Sequence, residues 1–207
     1  MIETLFQMDP VTVLTFMGAG ILLNLTPGAD VAFATATSLG SGWRNGVAAA
    51  LGISAGSLVH VTLAAFGIAA TLAAWPLGFD LIRWCGAAYL LYLAIQTWRV
   101  RPADDATAKH RSLSRAISRG FLTNVLNPKV ALFILAFLPQ FTDPAIGAVH
   151  LQMLLLGALF AVTGFLIISA YAIAANAFGT ALRRRMTALN KLTSIIYAGL
   201  AVRLVFD

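Results

Sequence analysis

Residues 24–40 read NLTPGADVAFATATSLG. They fall inside an apolar segment, 11–39, that a bilayer would accept as a helix, yet they contain Pro27, Gly28 and Asp30. A proline removes one backbone donor and frees the carbonyl four residues before it. In hydrocarbon, groups freed in this way persist only against protein or a water-filled cavity. A straight helix over 11–39 would also cover about 43 Å, against a hydrocarbon core of about 30 Å. The segment must therefore tilt or break, and Pro27-Gly28 is the expected breakpoint, with a carboxylate just beyond it.

The composition supports the premise of a membrane. Of 207 residues, 59% are hydrophobic and 11% charged, and mean hydropathy is +0.85. Soluble domains carry roughly 25% charged residues. The pI near 10.1 and net charge of +6 do not suggest nucleic acid, because the basic residues sit in short clusters between apolar runs. Membrane orientation explains them. Cys85 is the single cysteine, which excludes an internal disulfide or a CxxC redox pair. The N-terminus carries Glu3 and Asp9 and no basic run. The first apolar segment is thus expected to be a retained span and not a cleaved signal peptide, although Ala32-Phe33-Ala34 superficially resembles a cleavage site.

Six apolar segments are readable: 11–39, 46–72, 77–98, 117–139, 147–177 and 188–206. With six spans, Arg44, the run from Arg99 to Arg119, and Arg183, Arg184, Arg185 and Lys191 share one side. Only Arg83 and Arg203 fall on the other. That asymmetry assigns the first side to the cytoplasm and both termini to the opposite side. Trp43, Trp75, Trp84 and Trp98 fall near span ends, where amphipathic rings settle. The polar stretch 100–116 reads as a cytoplasmic linker between two halves, 1–99 and 117–207.

Each half has three spans, so the second must enter the membrane from the opposite face. Any likeness between the halves is an inverted repeat. The likeness lies in Asn24-Leu25-Thr26-Pro27-Gly28 and Asn124-Val125-Leu126-Asn127-Pro128-Lys129. Each proline lies roughly 16–18 Å from the cytoplasmic end of its span, near the midplane. The expected fold is an all-α integral membrane protein with six transmembrane helices in two inverted three-helix repeats. The first helix of each half is broken at proline.

Only one acid, Asp30, and one basic residue, Lys129, lie deep in these spans, each within three residues of its half's proline. A lone charge at the bilayer centre costs at least about 2.5–3.5 kcal/mol. The expectation is that both face one cavity. They would form either a pair that substrate or a proton opens, or a permanent bridge between the halves. The second span carries Ala48, Gly52, Gly56, His60 and Ala64 at i+4 spacing. The small residues suit close helix packing. His60 extends the same stripe and either carries protons or bonds a neighbouring helix. Gly157, Ala161 and Gly164 form a weaker stripe in the fifth span. No set of His, Cys and acidic residues has metal-ligand spacing, so no metal or other cofactor is expected.

These motifs together resemble the LysE/RhtB family of amino-acid exporters over essentially the whole chain. The resemblance rests on Thr26-Pro27-Gly28-Ala29-Asp30, on Gly42, Gly46, Gly52, Gly56, His60 and Gly67, and on GAAYLLYLAIQTWR at 86–99. In the second half it rests on Asn127-Pro128-Lys129 and Leu138-Pro139-Gln140-Phe141. The chain departs from the family's usual Pro-Gly-Pro at its third position, Ala29. The resemblance implies export of amino acids or close derivatives across the cytoplasmic membrane, in exchange for protons. It does not identify the substrate.

The pathway residues expected from this reading are Asn24, Thr26, Pro27, Gly28, Asp30, His60, Asn124, Asn127, Pro128 and Lys129. The partners expected are a small-molecule substrate and membrane lipid, with no nucleic acid, and homo-oligomerisation is left open. Efflux of a metal or other small cation through the same architecture, with Asp30 and His60 as ligands, is the competing reading. An enzyme is not expected, since a hydrolase would need a Ser/His/Asp or metal set, and without a nucleotide-binding motif direct ATP drive is not expected either.

Overall fold

The computed structural model describes residues 8–68 and 112–206, with isolated positions at 84, 88, 91, 92 and 95. Beyond 177, side chains are described at a few positions only. The expected third span, 77–98, and most of the linker, 100–116, lie outside the described residues.

Helix is the only regular structure among the described residues. Helix α1 spans Pro10–Leu25. Asp9 caps it, accepting hydrogen bonds from the amides of Val11 and Thr12, and Pro10 takes the first turn, where no donor is needed. The hydroxyl and amides of Thr12 and Val11 hold the Asp9 carboxyl below its ordinary value, the hydroxyl most. The helix stops at Thr26, whose extended backbone suits the residue before a proline. Helix α2, Ala29–Ser41, restarts at an angle of 51°. Gly42, at φ +87°, turns the chain into α3, Trp43–Leu63, which runs on through a π-helical turn, Ala64–Ile68.

The second half repeats the device. Helix α4, Leu113–Val125, is separated from α5, Pro128–Phe137, by a 55° bend. Asn127 caps α5 through its side chain, and Pro128 opens it. Short 3-10 turns, Leu138–Phe141 and Pro144–Ile146, lead to α6, Val149–Phe206. Trp43–Gly67 and Val149–Ala177 are each long and apolar enough to cross a membrane. The two bent pairs raise the candidates to four. The sequence reading placed a turn between spans 147–177 and 188–206, and here it is corrected. Helix α6 continues through Arg183-Arg184-Arg185 without a break. The connecting stretch contains Ala181, Leu182, Arg183, Arg184, Arg185 and Met186 in succession, all good helix formers, so local propensity favours continuation.

Two apolar clusters stack along the helices. One gathers Phe16, Leu23, Val61, Phe133, Phe137, Met153 and Phe160. The other gathers Val31, Ala34, Ala49, Ile53, Ala116, Ile168 and Ala172. Buried residues of α1 and α5 go to the first cluster, while those of α2 and α4 go to the second. Helices α3 and α6 contribute to both, at opposite ends. The helix breaks therefore lie at the level where one cluster gives way to the other.

The stripe on α3 faces protein. A Cβ at Gly52 would collide with the backbone carbonyl of Ile117, and one at Gly120 with that of Ala49. Gly56 packs on Phe121 and Asn124. Helices α3 and α4, from different halves, thus meet backbone to backbone, which only residues without side chains permit.

Candidate functional site

The break between α1 and α2 interrupts the helical ladder, and several carbonyls around it take other partners. Leu22 O accepts from the Thr26 amide at 3.0 Å and from the Thr26 hydroxyl at 2.7 Å. Leu25 O accepts from the Tyr171 hydroxyl of α6 at 2.8 Å. Leu23 O and Thr26 O both accept from Lys129 Nζ, each at 3.0 Å. Lys129 itself sits in the first turn of α5, where the helix dipole disfavours a cation. Its side chain instead reaches the carbonyl end of α1, where a positive charge is stabilised.

The break between α4 and α5 is closed from the other direction. Asp30, in the first turn of α2, is placed favourably for the helix dipole. Its Oδ2 accepts from Asn124 Nδ2 at 2.9 Å. His60 Nε2 lies 3.2 Å from Asn124 O. A carbonyl only accepts, so Nε2 carries the proton in this contact. Asn127 Oδ1 accepts from the Lys129 amide at 3.0 Å. Each break is thus braced by a charged residue from the other half: Lys129 on α1, and Asp30 on α4.

Between the breaks lies a small cavity with room for about one water molecule. Asn24, Thr26, Gly28, Asp30, Asn127 and Lys129 line it. The apolar residues Leu23, Val31, Val130 and Ile168 complete the lining. Asp30 Oδ1 and Asn24 Nδ2 are buried without a hydrogen-bond partner, one an acceptor and the other a donor.

Six of the ten pathway residues expected from the sequence line this cavity. Asn124 and His60 stand behind it, Asn124 holding Asp30 and His60 holding Asn124. Pro27 and Pro128 make the breaks without lining the cavity. Asp30 and Lys129 share the cavity, but among the described residues no ion pair within 4.0 Å joins them. Each charge has hydrogen-bond partners of its own beside the shared cavity, Lys129 two carbonyls and Asp30 an amide. Sequence reading missed Tyr171 and Ile168. Both lie on the α6 face that begins at Gly164, at i, i+4 and i+7, a signal that was present but shared with ordinary packing. Among the described residues no three His, Cys, Asp or Glu gather as a metal site.

Comparison with known proteins places the chain among membrane translocators. The sequence profile of the family described as LysE type translocator matches residues 21–207. An uncharacterized membrane protein of Vibrio cholerae is 33% identical over 90% of this chain and 92% of its own length. A homoserine/homoserine lactone efflux protein of Salmonella typhimurium is 33% identical, over 82% of this chain and 84% of its own. A leucine efflux protein of Salmonella choleraesuis is 28% identical over 92% of each. No solved structure matches. With its two broken helices facing one polar cavity, the chain belongs to the LysE type translocator family.

Proposed function

We propose that the protein is a secondary transporter that exports amino acids or close derivatives across the cytoplasmic membrane. It works by proton-coupled alternating access between the two faces of the membrane. The observation that carries this reading is the shared cavity. It sets the Asp30 carboxylate, with Oδ1 unpartnered, beside the Lys129 ammonium. An amino acid brings an ammonium and a carboxylate, and half-helix ends beside the site add complementary partial charges. Asp30 takes a proton when the substrate leaves and returns it when substrate binds. The relatives named as homoserine and leucine efflux proteins support the class of cargo.

The cavity is far smaller than an amino acid, so transport requires its walls to part on one face and then the other. The two apolar clusters flank the cavity and serve as the two seals.

The test is export from an exporter-deficient bacterium loaded by dipeptide feeding. Wild type and Asp30→Asn are compared at equal membrane level. The expected result is amino acid appearing outside with the wild type and not with the variant. Equal export by both would make Asp30 structural. Export of no amino acid by either would overturn the reading and move efflux of a small cation to the front.

A further inference from the structure

We infer that the apolar wall of the cavity is the subsite for the cargo's side chain, and that Ile168 sets its size limit. This rests on the export reading above. The lining combines polar groups of Asp30, Asn24 and Lys129 with the apolar side chains of Leu23, Val31, Val130 and Ile168, so a zwitterion held by the first set leaves its side chain to the second.

Of these four, Ile168 stands apart. Leu23 lies near the end of α1, Val31 follows Asp30, and Val130 follows Lys129, so all three belong to the half-helices that flank the breaks. Ile168 comes from α6, an unbroken helix that supplies no polar side chain to the cavity lining. Its position is held on both sides. Four residues before it, Gly164 lies against the Asn24 amide. Three residues after it, the Tyr171 hydroxyl bonds Leu25 O at 2.8 Å. Ile168 is 3% exposed and faces the cavity from a fixed wall. A branched side chain there leaves less room for a long or branched cargo than for a small one. Apolar pockets discriminate by roughly 10–200-fold per methylene gained or lost.

The experiment measures initial efflux of alanine, threonine, leucine and phenylalanine from dipeptide-loaded cells carrying wild type, Ile168→Ala, Ile168→Val or Ile168→Phe. Protein levels in the membrane are matched. Ile168→Ala is expected to raise the leucine-to-alanine efflux ratio about tenfold, and Ile168→Phe to lower it by a similar factor. Ile168→Val, which removes one carbon, moves the ratio the same way as Ile168→Ala but less, and decides the matter if the alanine variant does not reach the membrane. A residue with only a packing role would lower every flux together and leave the ratio alone. Ratios within about twofold of wild type in all variants, with wild type exporting, overturn the assignment of Ile168 and leave the export reading standing. A wild type that exports no amino acid overturns both.

Discussion

At the scale of single residues, the site turns on what Lys129 touches. Its ammonium donates to two backbone carbonyls, and the Asp30 carboxylate accepts from an asparagine. A charge-assisted hydrogen bond contributes about 1.5–3 kcal/mol, and a buried carbonyl left bare costs about 1–3 kcal/mol. Exchanging the charges, Asp30→Lys with Lys129→Asp, would point a carboxylate at two carbonyl oxygens and an ammonium at the Asn124 amide. The double variant is therefore expected to export no better than either single variant and to unfold at a lower temperature than wild type in detergent. Recovery of export in the double variant would show that the two charges interact directly. Most of the cavity's polar lining was legible in the sequence, because a charge or an asparagine at mid-span is rare and expensive. The acceptors of Lys129 were not, because a backbone carbonyl has no letter of its own. Ile168 escaped for the opposite reason: in a chain this apolar, an isoleucine beside a cavity looks like any other.

At the scale of elements, the breaks were readable from Pro27 and Pro128, whose missing donors end α1 and admit α5. The close packing of α3 on α4 was readable from the glycine spacing. The passage of α6 through Arg183-Arg184-Arg185 was not, because a charged run suits a turn and an exposed helix equally well. The glycines divide into two kinds. Gly52→Ala and Gly120→Ala each force α3 and α4 apart, at a cost of about 1–3 kcal/mol by overpacking. Gly18 in α1 has nothing within 4 Å of where a Cβ would lie. Gly18→Ala is expected to leave stability unchanged or raise it by up to about 1 kcal/mol. Thermal unfolding of the three purified variants in one detergent checks this. A Gly52→Ala variant as stable as wild type would mean that the helices do not meet as described.

At the scale of the whole molecule, the halves are not independent units laid side by side. Lys129 from the second half closes the break in the first, and Asp30 from the first half holds the break in the second. The two clusters above and below are unlike: one is built on Phe16, Phe133, Phe137 and Phe160, the other largely on alanines. Interlocked phenyl rings part as a body, whereas alanine faces slide, so the two seals need not open by the same motion. The position of the Lys129 ammonium has one more consequence. In other carriers built on interrupted helices, the carbonyl end of a half-helix is a site for sodium. Here a tethered cation already occupies that end. The chain carries its own counter-ion, so export should proceed at the same rate when choline replaces all sodium in the medium. A rate that falls with sodium would mean that Lys129 leaves its carbonyls during the cycle and a metal ion takes its place.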